Sequence, residues 1–290
     1  MSGARDLPLH FRIGARTWLS VRRRLVRVAW SLDSVLAGKE PPLPGMPGDA
    51  DGYCLLSVPV DRVAQIQAAL PGMIVAERQR YRRYHADLSR GWAAYHAGLS
   101  GNSRSQLKRK AKRLAAANGG TIDIRRYATP DEIAAFHALA RPLAARTYQE
   151  RLLAMGLPGD AAFVADMLRR AAAGGVRAWL LFFGEQPVAY LYCPIERGDV
   201  LYEYVGHDEG REALSPGTVL MAQALRDLND EGGLRRFDFT EGEGQLKRQF
   251  ASGATECADL LALRPTWANR GVLLALAAWD RTVALAKRIR

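Results

Sequence analysis

The sequence predicts an α+β chain: a mixed, mostly antiparallel sheet flanked by helices, with a reduced N-terminal portion and an amphipathic helix at each end. Three observations carry this expectation. Residues 100–173 are dominated by helical periodicity, the period switches from 3.6 to 2 after Gly174-Gly175, and one long helix at 216–231 follows the strands and precedes another.

In chain order, residues 14–37 read as a basic amphipathic helix, because Trp18, Leu19, Leu25, Val26, Val28, Ala29, Leu32 and Leu36 interleave with Arg22, Arg23, Arg24 and Arg27. Such a helix either docks on the body with solvated arginines or lies on an anionic surface. Residues 40–49 hold four prolines and two glycines, so a linker falls there. Tyr53 to Val58 reads as a strand and Pro59 to Leu70 as a short helix. Val75 to Leu88 reads as a strand whose Arg78, Arg80, Arg82 and Arg83 either face water or, with Tyr81 and Tyr84, stack on nucleic acid. Asn102 or Ser103 caps a helix to about Asn118, with Leu107, Ala111, Leu114 and Ala115 on one side and Gly119-Gly120 ending it.

Thr121 to Tyr127 is then a strand, and Thr129-Pro-Asp-Glu132 sets a cap, an N1 proline and first-turn acids in register. Helices are expected at 130–145, 148–155 and 160–173. Val176 to Phe183, Pro187 to Ile195 and Val200 to Val205 form an antiparallel meander with tight turns between them. Ser215-Pro-Gly-Thr218 opens the helix of 216–231, Leu234 to Phe239 and Thr255 to Leu263 are strands, and residues 266–289 form a last amphipathic helix. The organisation expected is a basic N-terminal helix (1–40), a linker and small α/β segment (41–99), a main domain (100–265) and a C-terminal helix (266–290).

Apolar residues make up 48% of the 290 and charged ones 24%, which excludes a disordered or collagen-like chain. The formal net charge is +11. It is unevenly spread: residues 75–126 carry 13 basic against 3 acidic groups, whereas residues 127–265 carry 14 against 20. An acidic body between basic segments favours anionic partners. Cys54, Cys193 and Cys257 include no C-x-x-C pair, so neither a disulfide framework nor a metal site is expected. Arg12, Arg16 and Arg22 interrupt any N-terminal apolar run, and Gly271 to Trp279 is far shorter than the ~20 residues of a spanning helix. The chain is therefore expected in the cytoplasm, where its N-terminal helix either docks on the body or makes peripheral contact with the anionic inner face of the membrane.

Chemistry concentrates after residue 200. A helix start offers unpaired backbone N–H groups and a positive dipole end, and glycine allows close backbone approach, so Ser215, Pro216, Gly217 and Thr218 suit a phosphate or diphosphate. The same four residues equally suit an ordinary helix start. The order of elements resembles the GNAT acyltransferase fold, in which the meander meets a helix that cradles the coenzyme A diphosphate. More narrowly, residues 100–252 resemble the BioF2-like and CelD-like acetyltransferases, relatives of the FemAB peptidyltransferases. The matching pieces are Ser103-Arg-Ser-Gln-Leu-Lys-Arg-Lys110, Gly184-Glu-Gln-Pro-Val-Ala189, Ser215-Pro-Gly-Thr218 and Phe237-Asp-Phe-Thr-Glu-Gly-Glu-Gly-Gln-Leu-Lys-Arg-Gln-Phe250. One departure is that Arg211-Glu-Ala-Leu-Ser-Pro-Gly217 has a single glycine where such proteins carry Q/R-x-x-G-x-G/A. Residues 41–99 are too short for a complete first FemAB unit and suit a degenerate one.

The resemblance implies acetyl-CoA or another acyl-CoA as co-substrate, no metal, and an amine of a small molecule, sugar or envelope precursor as acceptor. Acyl transfer to an amine needs a base, oxyanion donors and an acid for the thiolate. Glu203 is the candidate base, on an apolar strand face with Leu201 and Val205 that would raise its pKa; pairing with a surface arginine is its bland role. Tyr202 and Tyr204, on the opposite face, are candidates for the acid, or simply pack on the sheet. Asp238, on the next strand, is a further catalytic candidate, and so is Lys247, which matches a recurrent lysine of the family and would serve as a substrate or phosphate contact or, alternatively, as an ion-pair partner of Asp238. Arg104 and Lys108 on the cationic helix, and Glu241 and Glu243 in an acidic mouth, are candidate substrate contacts. No nucleophile elbow, H-E-x-x-H or P-loop occurs. Two alternatives remain: a FemAB-like transferase fed by aminoacyl-tRNA, and a non-catalytic module binding nucleic acid or anionic lipid through residues 75–126.

Overall fold

The computed structural model describes residues 3–13, 16–39, 43–147 and 156–288. Strands are β1 (Arg5–Ile13), β2 (Arg16–Ala29), β3 (Gly52–Pro59), β4 (Ile74–Asp87), β5 (Asp123–Tyr127), β6 (Val176–Phe183), β7 (Gln186–Glu196), β8 (Asp199–Leu201), β9 (Tyr204–His207), β10 (Arg236–Asp238) and β11 (Gly253–Leu263). Helices are α1 (Leu32–Ala37), α2 (Val63–Ala68), α3 (Gly91–Gly98), α4 (Gly101–Ala117), α5 (Pro130–Ala144), α6 (Ala161–Ala172), α7 (Pro216–Glu231), α8 (Gln245–Phe250) and α9 (Trp267–Arg288). The chain divides into two compact units, residues 1–83 with 255–290, and residues 84–254.

In the first unit the strand order is β1-β2-β3-β11-β4. β2 runs parallel to β3, β1 is antiparallel to β2, and β11 is antiparallel to β3. One core cluster gathers Val26, Val28, Trp30, Leu55 and Ile66; another joins Leu9, Phe11, Leu25 and Leu263 to Leu273 and Leu276 of α9. This overturns the helix expected over 14–37. Residues 5–13 and 16–29 form an antiparallel hairpin, and only Leu32–Ala37 is helical. The alternation Leu19, Val21, Arg23, Leu25 satisfies period 2 as well as period 3.6 permits Arg22 to Arg24, and β-branched Thr17, Val21, Val26 and Val28 tip the balance once β1 and β3 offer ladders.

In the second unit the order from the end of β4 is β10-β8-β7-β6-β5, with β9 also on β7. All pairings there are antiparallel except β8 with β10. One cluster packs α3, α4 and α7 with Phe237, Phe239 and Phe250, and a second packs α5 and α6 with Tyr127, Tyr190 and Tyr192. Because β6 and β7 are covered on both faces, they read as near-continuous apolar runs. This is the mixed, mostly antiparallel sheet with flanking helices that the sequence predicts. The meander turns are tight: Gly184-Glu185 joins β6 to β7, and Arg197 and Gly198, both at positive φ, join β7 to β8.

Several boundaries move. Ser100, not Asn102 or Ser103, caps α4, its Oγ accepting from the Ser103 N–H at 3.0 Å. Helix α3 was not anticipated. The strand expected over 200–205 is broken at Tyr202 and Glu203 into β8 and β9. The helix expected at 148–155 lies outside the described residues. Thr129 and Glu132 form the expected capping box at α5.

Candidate functional site

The break at residues 202–203 organises the site. Up to Leu201 the parallel β8/β10 pair holds, and it closes with the Tyr202 N–H donating to the Asp238 carbonyl at 2.9 Å. Beyond it β9 stays with β7, while β10 ends at a turn in which Thr240 takes φ 59°. Asp238, fully buried, fixes that turn: its Oδ1 accepts from the Thr240 N–H at 2.9 Å. β9 thus pairs on one side only among the described residues. The Asp208 N–H donates to the Val188 carbonyl, so by alternation the main-chain groups of Val205 and His207 point to the unpaired side.

That unpaired edge ends beside the start of α7. The His207 Nδ1 lies 3.8 Å from where a Cβ on Gly217 would sit. Ser215 stands at φ 56°, Pro216 occupies the first turn, and no side chain caps the helix. In contrast, α4, α5 and α6 are capped by Ser100, Thr129 and Asp160. Two cations from α4 attend this start: Lys110 Nζ donates to Thr218 Oγ1 at 3.2 Å, and Arg113 Nη1 donates to the Ala213 carbonyl at 3.2 Å. Burial and then Arg113 push the Lys110 ammonium below its ordinary pKa. A partly desolvated ammonium beside an uncapped helix start is a place where an anion is stabilised. Past this point a cleft of about 480 Å³ runs along α4 and α7, lined by Ala111, Val219, Ala222 and Gln223 among others.

Glu203 lies on the side of α6 and so does not share a face with Val205, nor do Tyr202 and Tyr204 share one. With the ladder broken, Tyr202 packs with Phe237 and Phe239, whereas Tyr204 packs edge-on against Phe163 of α6, with Tyr192 at 6.0 Å. Glu203 belongs to the α6 side. Protein packed around its carboxyl raises the pKa from its ordinary value even though the residue keeps an exposed flank; Arg170 opposes this shift, and Glu196 and Asp166 add to it. Burial, then Glu203 and Asp160, raise the Tyr204 phenol, so it stays protonated at neutral pH.

Lys247 donates to the Glu241 carbonyl, and its Nζ lies 5.9 Å from the Tyr202 ring centroid. Glu243 accepts from the Tyr84 hydroxyl at 3.0 Å and from Arg248 at 3.1 Å. Arg104 closes α3, donating to the Ala97 and Leu99 carbonyls at 2.7 and 2.6 Å, and Lys108 is exposed. The α4 residues brought to the helix start are thus Lys110 and Arg113. Sequence reasoning points to Arg104 and Lys108 instead, because all of these cations lie on one basic helix and only the packing of α4 on α7 brings Lys110 and Arg113 to the site. A separate cleft of about 380 Å³ is lined by His85, Asp87, Ser89, Arg235 and Arg236. Burial lowers the His85 pKa, and its Nδ1 has no hydrogen-bond partner among the described residues.

No cluster of metal-ligating side chains occurs among the described residues, and no helix there is long and apolar enough to cross a membrane. Residues 101–248 match the family model described as an acetyltransferase (GNAT) domain. No curated protein matches the chain. Among solved structures it is similar to the C-terminal domain of a protein described as a lysylphosphatidylglycerol synthetase from Agrobacterium fabrum (10% identity, TM-score 0.53, covering 79% of this chain and 72% of that one). It is also similar to FemX (9% identity, TM-score 0.50, covering 90% and 88%). At these identities the likeness is one of fold.

Proposed function

Since the chain belongs to the GNAT acetyltransferase family, we propose that it is an N-acyltransferase moving an acyl group, acetyl in the simplest case, from acyl-coenzyme A to an amine of a small molecule, sugar or cell-envelope precursor. Within the family we place it in the BioF2-like and CelD-like subgroup, on the motifs at 103–110 and 237–250. The observation that carries the reading is the uncapped start of α7, flanked by Lys110 and Arg113, where β9 loses its neighbour. The residues there fit the diphosphate: Ser215 to Thr218 supply the helix start and Lys110 a cation. Acyl-coenzyme A would supply the thioester, with coenzyme A as the leaving thiol.

The chain's own groups then have definite tasks. Glu203, with its raised pKa, takes a proton from the acceptor ammonium, freeing the amine lone pair to attack the thioester carbonyl. The outward N–H groups of β9 stabilise the oxyanion of the tetrahedral intermediate. Tyr204 returns a proton to the departing thiolate as the carbon–sulfur bond breaks. Asp238 positions the opening by fixing the turn after β10. Arg104 serves the structure by holding the Ala97 and Leu99 carbonyls, whereas Lys108, Glu241, Glu243 and Lys247 are kept as candidate contacts of the acceptor.

The test is thiol release from acetyl-CoA with a panel of amines, for the wild type and Glu203→Gln. The variant should turn over roughly 10²-fold to 10⁴-fold more slowly. The raised pKa means that the charged carboxylate costs the folded state stability: the unfolded chain loses this proton more easily, so the contribution fades as pH rises through 4.5 toward the raised value. Glu203→Gln should therefore be no less stable than the wild type at neutral pH, and any advantage should vanish at acid pH in thermal unfolding. No thiol release with any amine, or turnover sensitive to ribonuclease and independent of coenzyme A, would replace this reading with the FemAB-like one.

A further inference from the structure

The acyl-transfer reading makes no use of the basic N-terminal hairpin. Its register passes from Phe11↔Leu19 to Arg12↔Thr17, so Trp18 is bulged out of the ladder. On the inner face, Leu9 and Phe11 are covered by Leu273, Leu276 and Trp279 of α9, with the Phe11 and Trp279 rings 5.9 Å apart. Coverage stops there. Leu19, the partner of Phe11, is 58% exposed, Trp18 62% and Ile13 45%. Alternation puts His10, Arg12, Ser20, Arg22 and Arg24 on the other face, where all three arginines are exposed. Arg24 pairs with Asp49, and His10 hydrogen-bonds Ser20. From Leu7 to Leu32 the sequence has six arginines and no carboxylate.

Large apolar side chains about half exposed at the end of a hairpin whose other face carries a one-signed array of guanidinium groups have a specific chemical complement. An anionic bilayer surface offers phosphates to the arginines and, just below them, an apolar boundary for an indole and two aliphatic side chains. Nucleic acid supplies the phosphates but gives Leu19 and Ile13 nothing to enter. A second copy of the chain would set arginines against arginines. We propose that the end of the β1–β2 hairpin docks on a membrane surface rich in anionic lipid, with Ile13, Trp18 and Leu19 entering the headgroup boundary and Arg12 and Arg22 facing lipid phosphates. This inference stands independently of the acyl-transfer reading.

The test is sedimentation of the full-length protein with vesicles of phosphatidylcholine alone and of phosphatidylcholine mixed with phosphatidylglycerol. The wild type should bind the anionic vesicles at least about tenfold more tightly, with binding lost as salt rises. The double variant Trp18→Ser/Leu19→Ser and the double variant Arg12→Ser/Arg22→Ser should each bind at least about tenfold less tightly. Their thermal unfolding should match the wild type, since these side chains are exposed. Leu274→Ser on α9, where Leu274 is 71% exposed, should bind like the wild type. Equal binding to both vesicle types, no binding, or sensitivity to Leu274→Ser but not to Trp18→Ser/Leu19→Ser would overturn the proposal. So would light scattering that shows a dimer abolished by Trp18→Ser/Leu19→Ser without any vesicle binding.

Discussion

Gly217→Asp is expected to weaken acyl-coenzyme A binding by about a hundredfold or more while leaving the fold at least as stable as the wild type. The two effects have opposite signs for one reason. A Cβ at this position meets only the His207 Nδ1, at an ordinary 3.8 Å, so the side chain fits. A carboxylate in the first helical turn interacts favourably with the dipole, by about 0.3–1 kcal/mol. That same charge stands where the diphosphate must lie, and it neutralises the contribution of Lys110 next to Thr218. Isothermal titration with acetyl-CoA alongside thermal unfolding measures both quantities. Unchanged affinity would remove the α7 start as the binding site, and a collapse of stability would show that the substitution says nothing about it.

Gly52→Ala should cost on the order of 3 kcal/mol or more, the largest stability effect expected of a single methyl group in this chain. The added Cβ would lie 2.0 Å from the Ala262 carbonyl oxygen and 2.8 Å from the Leu263 Cα. Both are main-chain atoms of β11, opposite Gly52 in the register, so no side chain can rotate away and the β3/β11 ladder itself must open. Gly45→Ala, with nothing within 4 Å of its Cβ position, serves as the control and should change stability by less than about 1 kcal/mol. Chemical denaturation of the two variants gives the comparison. Equal midpoints would contradict the β3/β11 register.

Local signals made much of the second unit legible in the sequence. The capping box at Thr129, the double glycines after α4 and α6, the switch to period 2 at Val176 and the Ser-Pro-Gly-Thr start of α7 each act through neighbours within a few residues. What stayed hidden depends on partners far along the chain. Arg22, Arg23, Arg24 and Arg27 fit a helix until β1 and β3 supply ladders, and residues 5–13 show no strand signal strong enough to announce that hairpin. Glu203 fits an unbroken strand until β10 turns aside after Asp238, which sends Tyr202 and Tyr204 to opposite sides of the sheet. The α7 start was readable as a phosphate-type helix opening. Its cations were not: Arg104 and Lys108 are as basic as Lys110 and Arg113, and only the packing of α4 on α7 selects between them.

The central claim is that the start of α7, with Lys110, grips a diphosphate beside the unpaired edge of β9. Coenzyme A and pantetheine share the thiol arm and differ in the diphosphate-bearing nucleotide, so titrating the purified protein with each by calorimetry isolates that grip. Binding of coenzyme A with pantetheine at least about a hundredfold weaker is the predicted result. Equal affinity for the two, or no heat with coenzyme A at all, would contradict it.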